Sequence, residues 1–183
     1  MTTNSERSRL VEASDTLEAI EECYRLGWSD GLPVVPPVDY KVREMLEYVG
    51  MTGEEELLSL DMRRRVLTSE NAAANAVMAG CLPEYFPVLI TTLRTLEEEK
   101  NFVHMASAST SSPAILTLVN GPIRHEIGMN SRDGLFGPGF RANACLGRSI
   151  RLCFMNGFDA RPGTLDSCLL YTSDAADDTP CVD

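Results

Sequence analysis

The amino-acid sequence predicts a helix-dominated fold of the α/β or α+β class with a few buried strands. Apolar residues recur at helical spacing behind residues that begin helices, as in 15–26 and 83–99. One short apolar run, PAILTLVN at 113–120, is bounded by turn signals and predicts a buried strand. Apolar residues make up 44% of the chain and charged residues 23%, which is typical of a folded protein rather than a disordered one.

Four helices are predicted in the first hundred residues, at about 15–26, 39–49, 69–79 and 83–99. Each begins at a residue suited to a helix start, namely Asp15, Asp39, Ser69 and Pro83. Between the first two helices, GWSDGLPVVPP contains too much proline for a regular element, yet its apolar side chains require burial. We therefore expect an ordered, extended segment there, and a solvated helix or loop over 50–66.

The second half of the chain alternates strands, turns and helices. FVHMASAS at 102–109 predicts a strand, and a second strand follows at 113–120. Asn120-Gly121-Pro122 predicts a sharp turn into a short helix that ends by Gly128. A glycine-rich loop over 128–139 then leads into a long helix of about 140–156.

The sequence divides into three parts. Residues 1–13 are polar and predict a mobile terminus, and 14–167 predict a single domain. The last sixteen residues, CLLYTSDAADDTPCVD at 168–183, resemble one reading frame of a transposase-type sequencing adapter. We therefore expect 14–167 to be a truncated N-terminal fragment that leaves apolar surface exposed.

The charge of the chain excludes some classes of partner. The net charge is −11, from 27 acids against 16 bases, and the tail contributes four of those acids. Nucleic acids and anionic membranes call for Lys and Arg patches, so neither is an expected partner. No segment approaches the roughly 18 apolar residues of a membrane span. The polar start has no secretory signal, which predicts a cytoplasmic protein.

Six cysteines at long, irregular spacings leave disulfides and free thiols both open, and a reducing compartment favours free thiols. With only two histidines and no C-x-x-C pair, no metal site is expected.

The loop GMNSRDGLFGPGF is the strongest candidate for a binding site. Glycines let a ligand approach the backbone, and the following helix start offers free N–H groups and a positive dipole. The substrate-binding candidates are Gly137, Gly139, Arg141, Asn143 and, in the preceding turn, Asn120. The alternative is a tight structural turn with arginines paired to acids elsewhere. The letters G-x-G-x-x-A at 137–142 match a dinucleotide fingerprint, but no predicted strand precedes them.

Three residues are candidates for catalysis, each with a structural alternative. His125 follows the Asn-Gly-Pro turn beside Arg124 and Glu126, which suits an acid–base group. Asp30 is a candidate acid, although Asp-Gly turn chemistry explains it equally well. Cys81 follows a predicted helix end, a position that disfavours a thiolate and favours a structural role.

The segments GWSDGLPVVPP, NAVMAGCLPEYFPV, LVNGPI and GLFGPGFRANACLGRSIRL, in this order, resemble the domain associated with the UGSC-type (seleno)protein family. The resemblance covers Thr16 to Asp166. The chain departs from the family pattern at Val38, where a Thr is expected, and at Cys145, where a small β-branched or hydroxyl residue is expected. No UGSC motif is present.

The resemblance implies a bacterial enzyme domain or subunit that works with a thiol- or selenol-bearing UGSC-type partner or fused domain, as an oxidoreductase or a lyase. It names no cofactor. The alternative is a non-catalytic scaffold whose glycine motifs shape the backbone for docking that partner.

Overall fold

The computed structural model describes residues 11–107 and 115–161. These residues form a helix-dominated α+β fold, which confirms the predicted class. Seven helices and one two-stranded antiparallel sheet are found in these two ranges: α1 (Thr16–Arg25), α2 (Asp39–Val49), β1 (Glu56–Leu60), β2 (Arg65–Thr68), α3 (Ser69–Ala79), α4 (Phe86–Glu98), α5 (Lys100–Ser107), α6 (Ile123–Glu126) and α7 (Arg141–Phe158). Short 3₁₀ turns lie at Asp61–Arg63 and Pro83–Tyr85.

The first three helix starts differ in how they are capped. The Asp15 side chain accepts a hydrogen bond from the Glu18 amide at 2.9 Å, as the sequence predicts. The predicted cap Asp39 is wrong, because Val38 holds the cap position and gives α2 no side-chain cap. The predicted cap Ser69 is also wrong by one residue, since the Thr68 side chain caps α3.

A β-hairpin occupies much of the stretch predicted as a solvated helix or loop, and that prediction is wrong. Leu58 pairs with Leu67 across the hairpin, and both are fully buried. Ser59 donates through its amide and its hydroxyl to the Glu97 carboxylate, at 2.6 and 2.9 Å, which fixes β1 on α4. The acidic and basic flanks of the stretch concealed a short apolar strand between them.

Helices α3 and α7 pack together at the centre of the fold. The alanines of α3 permit a close approach, and Ala72, Ala73 and Ala76 are fully buried. At the other end of the contact, a Cβ atom at Gly157 would lie 2.8 Å from a methyl carbon of Leu67. A glycine in α7 therefore lets the helix lie directly on the hairpin.

Both predicted strands after residue 100 differ from the structure. Residues 102–107 belong to α5, so the strand predicted over 102–109 is wrong where it is described, and 108–109 lie outside the described residues. FVHM is too short to distinguish the two-residue period of a strand from a helical period. Residues 115–120 pair with no other strand in the described ranges, so the predicted buried strand is wrong there; 113–114 lie outside them.

Of the predicted mobile terminus, 1–10 lie outside the described residues, as do 162–183 with the adapter-like tail. Among the helices in the described ranges, none has the length and hydropathy needed to cross a membrane.

Candidate functional site

The glycine-rich loop is shaped by its own backbone and by one side chain of α7. Gly134 and Gly139 have φ values of +69° and +115°, which favour glycine. The Gly137 amide donates to the Gly134 carbonyl at 2.7 Å, and a Cβ at Gly137 would lie 3.1 Å from that oxygen. Gly137 is thus needed for a tight turn, whereas Gly139 is needed for its backbone conformation.

Asn143, a predicted substrate donor, holds the loop instead. Its side-chain oxygen accepts from the Asn130 amide at 2.9 Å, and its side-chain nitrogen donates to the Asn130 carbonyl at 2.9 Å. The same nitrogen donates to the Leu135 carbonyl at 3.3 Å. Because the carboxamide is engaged on both sides, Asn143 positions the loop, and its backbone N–H is the group that remains for a ligand.

The start of α7 is uncapped. Phe140 occupies the cap position and has no side chain that accepts a hydrogen bond. Among the residues that the structure describes, no acceptor is found for the backbone N–H groups of Arg141, Ala142 and Asn143. These three donors stand at the positive end of an 18-residue helix dipole, which favours a negatively charged ligand.

Arg141 joins the start of α7 to the end of α3. Its Nε and Nη2 atoms donate to the Gly80 carbonyl at 3.0 and 2.8 Å. A cation at the carbonyl end of α3 is favoured by the helix dipole. The side chain is exposed, and in the described part of the chain its Nη1 group has no acceptor. Arg141 can therefore hold α3 and donate to a ligand at the same time.

Asp30, a predicted catalytic acid, is half of an ion pair. The Arg148 guanidinium donates to both its carboxylate oxygens at 2.9 and 2.7 Å, and also to the Leu32 and Pro33 carbonyls. The hydrogen bond from Arg148 holds the pKa of Asp30 below its usual range. Asp30 is thus ionised at neutral pH, and the pair fastens the proline-rich segment to α7.

Cys81 lies just past α3 and is 7% exposed. Burial, with a smaller contribution from Cys145, raises the pKa of the Cys81 thiol to about 12. The thiol is therefore protonated at neutral pH, which matches the structural reading of this residue. Among the described residues, Cys23, Cys81, Cys145 and Cys153 are free thiols.

His125 and Asn120 lie on the surface. His125 is exposed near the end of α6, and Asn120 is exposed at the turn before it. In the parts of the chain that are described, no hydrogen bond or ion pair joins His125, Asp30 and Cys81 to one another. The three predicted catalytic residues therefore do not form one hydrogen-bonded cluster. Four of the five predicted binding residues lie together at the start of α7 and in the loop before it, and Asn120 lies apart from them in the sequence.

A buried amide network was missed by sequence reasoning. The Asn156 side chain donates to the Trp28 carbonyl at 3.0 Å and to the Asn75 side-chain oxygen at 2.7 Å. Asn75 is 3% exposed and in turn donates to the Asn71 carbonyl at 2.8 Å. The signal was Asn75, which lies between alanines in α3, because a buried polar side chain needs hydrogen-bond partners.

Next to this network, the surface carries a shallow cavity of about 460 Å³ lined by residues of α1, the proline-rich segment and α7, among them Tyr24, Ser29 and Met155.

In 11–107 and 115–161, no cluster of three or more His, Cys, Asp or Glu side chains is arranged to hold a metal ion. In the comparisons with known proteins, no family model, curated protein or solved structure matches the chain.

Proposed function

We propose that this chain is a cytoplasmic enzyme domain or subunit that binds a small anionic substrate where the glycine-rich loop meets α7. The observation that carries the proposal is the uncapped start of α7, with the N–H groups of Arg141, Ala142 and Asn143 available beside the Arg141 side chain. A carboxylate or phosphate is the chemical group that such donors bind best.

The role of each site residue follows from its contacts. The backbone N–H groups and Arg141 Nη1 bind the anion, and Asn143 keeps the loop in place. His125 supplies an exposed imidazole for acid–base chemistry. Cys81 is protonated and Asp30 is ion-paired, so both serve the scaffold of the site. A UGSC-type partner would supply the reacting thiol or selenol, in oxidoreductase or lyase chemistry.

A substitution at the cap position tests the binding site while it keeps every residue of α7 unchanged. In Phe140→Asp, the new carboxylate caps the free N–H groups and competes with the ligand. We expect the affinity for inorganic phosphate and for succinate, measured by calorimetry, to fall at least roughly tenfold. The melting temperature should stay the same or rise, because an N-cap stabilises a helix.

Phe140→Ala is the matched control, since it removes the same aromatic ring without adding a charge. It should bind both anions as the wild type does. Equal affinity of Phe140→Asp and wild type would contradict the proposal, as would a wild type that binds neither anion.

A second candidate function, docking of the UGSC-type partner by a non-catalytic scaffold, is favoured by the segment 115–120. Ile115, Leu116 and Leu118 are 43%, 66% and 79% exposed, while Val119 packs on the core. In the described ranges, no hydrogen bond satisfies the backbone N–H and C=O groups of residues 115–120. Backbone groups without hydrogen-bond partners can pair with a strand from a partner.

The two functions are separated by a pair of variants. Leu118→Glu places a charge on the exposed segment 115–120. If this segment docks the partner, the variant should no longer capture a purified UGSC-type protein in a pull-down, while it should still bind phosphate. Arg141→Ala should do the reverse if the chain is an enzyme domain. If Leu118→Glu fails to capture the partner and the wild type binds no anion, only the scaffold function is supported.

A further inference from the structure

The chain contains two Asn-Gly pairs, Asn120-Gly121 and Asn156-Gly157, which lie in different surroundings. An Asn-Gly pair is chemically labile, because glycine has no side chain that keeps the Asn carboxamide carbon away from the next backbone nitrogen. Attack of that nitrogen on that carbon releases ammonia and leaves a cyclic succinimide. The reaction requires that the carboxamide can turn toward the nitrogen and that the N–H is not held in a hydrogen bond.

The pair Asn120-Gly121 is open to solvent at the turn before α6. Asn120, Gly121 and Pro122 are all exposed. Within the part of the chain that the structure describes, the Asn120 carboxamide takes part in no hydrogen bond, and the Gly121 N–H has no acceptor. A Cβ atom on Gly121 would meet no atom of a more distant residue within 4 Å. The surroundings therefore leave the Asn120 side chain free to turn toward the Gly121 nitrogen.

The pair Asn156-Gly157 lies inside α7 and is held in place. The Asn156 side-chain nitrogen donates to the Trp28 carbonyl at 3.0 Å and to the Asn75 side-chain oxygen at 2.7 Å. Gly157 is a helical residue, so its N–H donates to the preceding turn of the helix. It also packs on the hairpin, where a Cβ atom would lie 2.8 Å from Leu67. Reaction at this pair requires that the end of α7 first unfolds locally.

We propose that Asn120 is a site of spontaneous deamidation in the folded protein and that Asn156 is protected from the same reaction. This inference does not rest on the proposed function. The two reacting residue types are the same at both sites, and only their contacts differ. The other reactant is water, which reaches the exposed turn directly.

The chemistry consists of two steps. In the first, the Gly121 nitrogen loses its proton and bonds to the side-chain carbonyl carbon of Asn120. The bond from that carbon to the side-chain nitrogen breaks, and the nitrogen leaves as ammonia with the proton. In the second step, water opens the succinimide. Cleavage at the side-chain carbonyl gives aspartate, and cleavage at the main-chain carbonyl gives isoaspartate, in which the chain runs through the former side chain.

The product replaces an uncharged surface amide with a carboxylate at the turn between residues 115–120 and α6. In the isoaspartate form, the main chain is also longer by one methylene group. The folded protein should therefore accumulate a more acidic species, which isoelectric focusing separates from the starting protein. The variant Asn120→Asp supplies the chromatographic reference for the aspartate product.

The test uses the full chain, incubated at mildly alkaline pH and digested at intervals. Mass spectrometry then follows the mass gain of exchanging an NH group for an oxygen at each Asn. In the folded protein, we expect Asn120 to react at least roughly tenfold faster than Asn156, because local unfolding of α7 precedes the reaction at Asn156. In guanidinium chloride, which removes all these contacts, the two pairs should react at similar rates.

Three results would overturn the inference. The first is no reaction at Asn120 in the folded protein. The second is an equal rate at Asn120 and Asn156 in the folded protein. The third is a preference for Asn120 that persists unchanged in guanidinium chloride, because the selectivity would then come from neighbouring residue types and not from the fold.

Discussion

The two ends of α7 lie in opposite surroundings. In its C-terminal half, Leu152, Cys153 and Phe158 are fully buried, and Asn156 has hydrogen-bond partners on two other segments. At its N-terminal end, Phe136 and Phe140 nearby are 82% and 43% exposed, and three helix N–H groups have no acceptor in the described chain. One half of the helix thus serves the fold, and the other end remains available for binding.

The largest expected difference between the two ends concerns aromatic side chains. Phe158→Ala removes a fully buried ring that packs edge-to-face on Phe154, with ring centroids 5.7 Å apart. It should lower the free energy of unfolding by roughly 3–5 kcal/mol. Phe136→Ala should change it by less than about 0.5 kcal/mol. Urea denaturation of both variants measures this, and similar losses would contradict the contrast.

The buried amide network should give the next largest effect. Asn156→Ala leaves the Trp28 carbonyl and the buried Asn75 side-chain oxygen without their donor. We expect a loss of roughly 1–3 kcal/mol in unfolding free energy. The exposed Asn120→Ala is the control and should be neutral. An unchanged denaturation midpoint for Asn156→Ala would show that the network does not stabilise the core.

The Asp30–Arg148 pair should contribute less, because both side chains keep some exposure, 19% and 23%. Asp30→Asn should cost about 1 kcal/mol at pH 7 after screening by solvent. The pair lowers the pKa of Asp30, so its stabilisation is present above the pKa of the unfolded carboxyl and is lost as pH falls through the lower folded pKa.

The difference between wild type and Asp30→Asn should therefore be constant from pH 8 to pH 5 and shrink below about pH 4. Denaturation curves at pH 7 and pH 3 measure it. A stability difference that grows as the pH falls would show that the pair does not lower the pKa of Asp30.

Arg141→Ala should have the smallest effect on stability, since the side chain is exposed. We expect less than about 1 kcal/mol, yet at least a roughly tenfold loss of phosphate affinity. Arg43→Ala, an exposed arginine paired with Asp39 on α2, is the matched control and should bind phosphate normally. Equal phosphate binding by the Arg141 and Arg43 variants would remove Arg141 from the site.

The sequence predicts the helices of the fold better than its strands. The helical periods of α2 and α4 follow from apolar spacing, since each helix buries one apolar face. The hairpin of β1 and β2 was not predicted, because its four leucines lie between runs of charged residues. Residues 115–120 have the pattern of a buried strand, but a strand also needs a neighbour, and local pattern does not supply one.

The sequence predicts where the candidate site lies better than it predicts the role of each residue in that site. The glycines and the following arginine mark where the loop meets α7, because the residue types of a loop restrict its backbone conformation. The partners of Arg141, Asn143 and Asp30 depend on contacts across the fold, including one between residues 30 and 148. Such contacts decide whether a polar side chain holds the scaffold or remains available for a ligand.

The most direct test of an open, anion-binding end of α7 is a titration of ¹⁵N-labelled protein with inorganic phosphate, followed by amide chemical shifts. The largest, saturable shifts should fall on the backbone amides of Arg141, Ala142 and Asn143, and they should vanish in Phe140→Asp. Shifts that spare these three amides, or that persist unchanged in Phe140→Asp, would contradict the account.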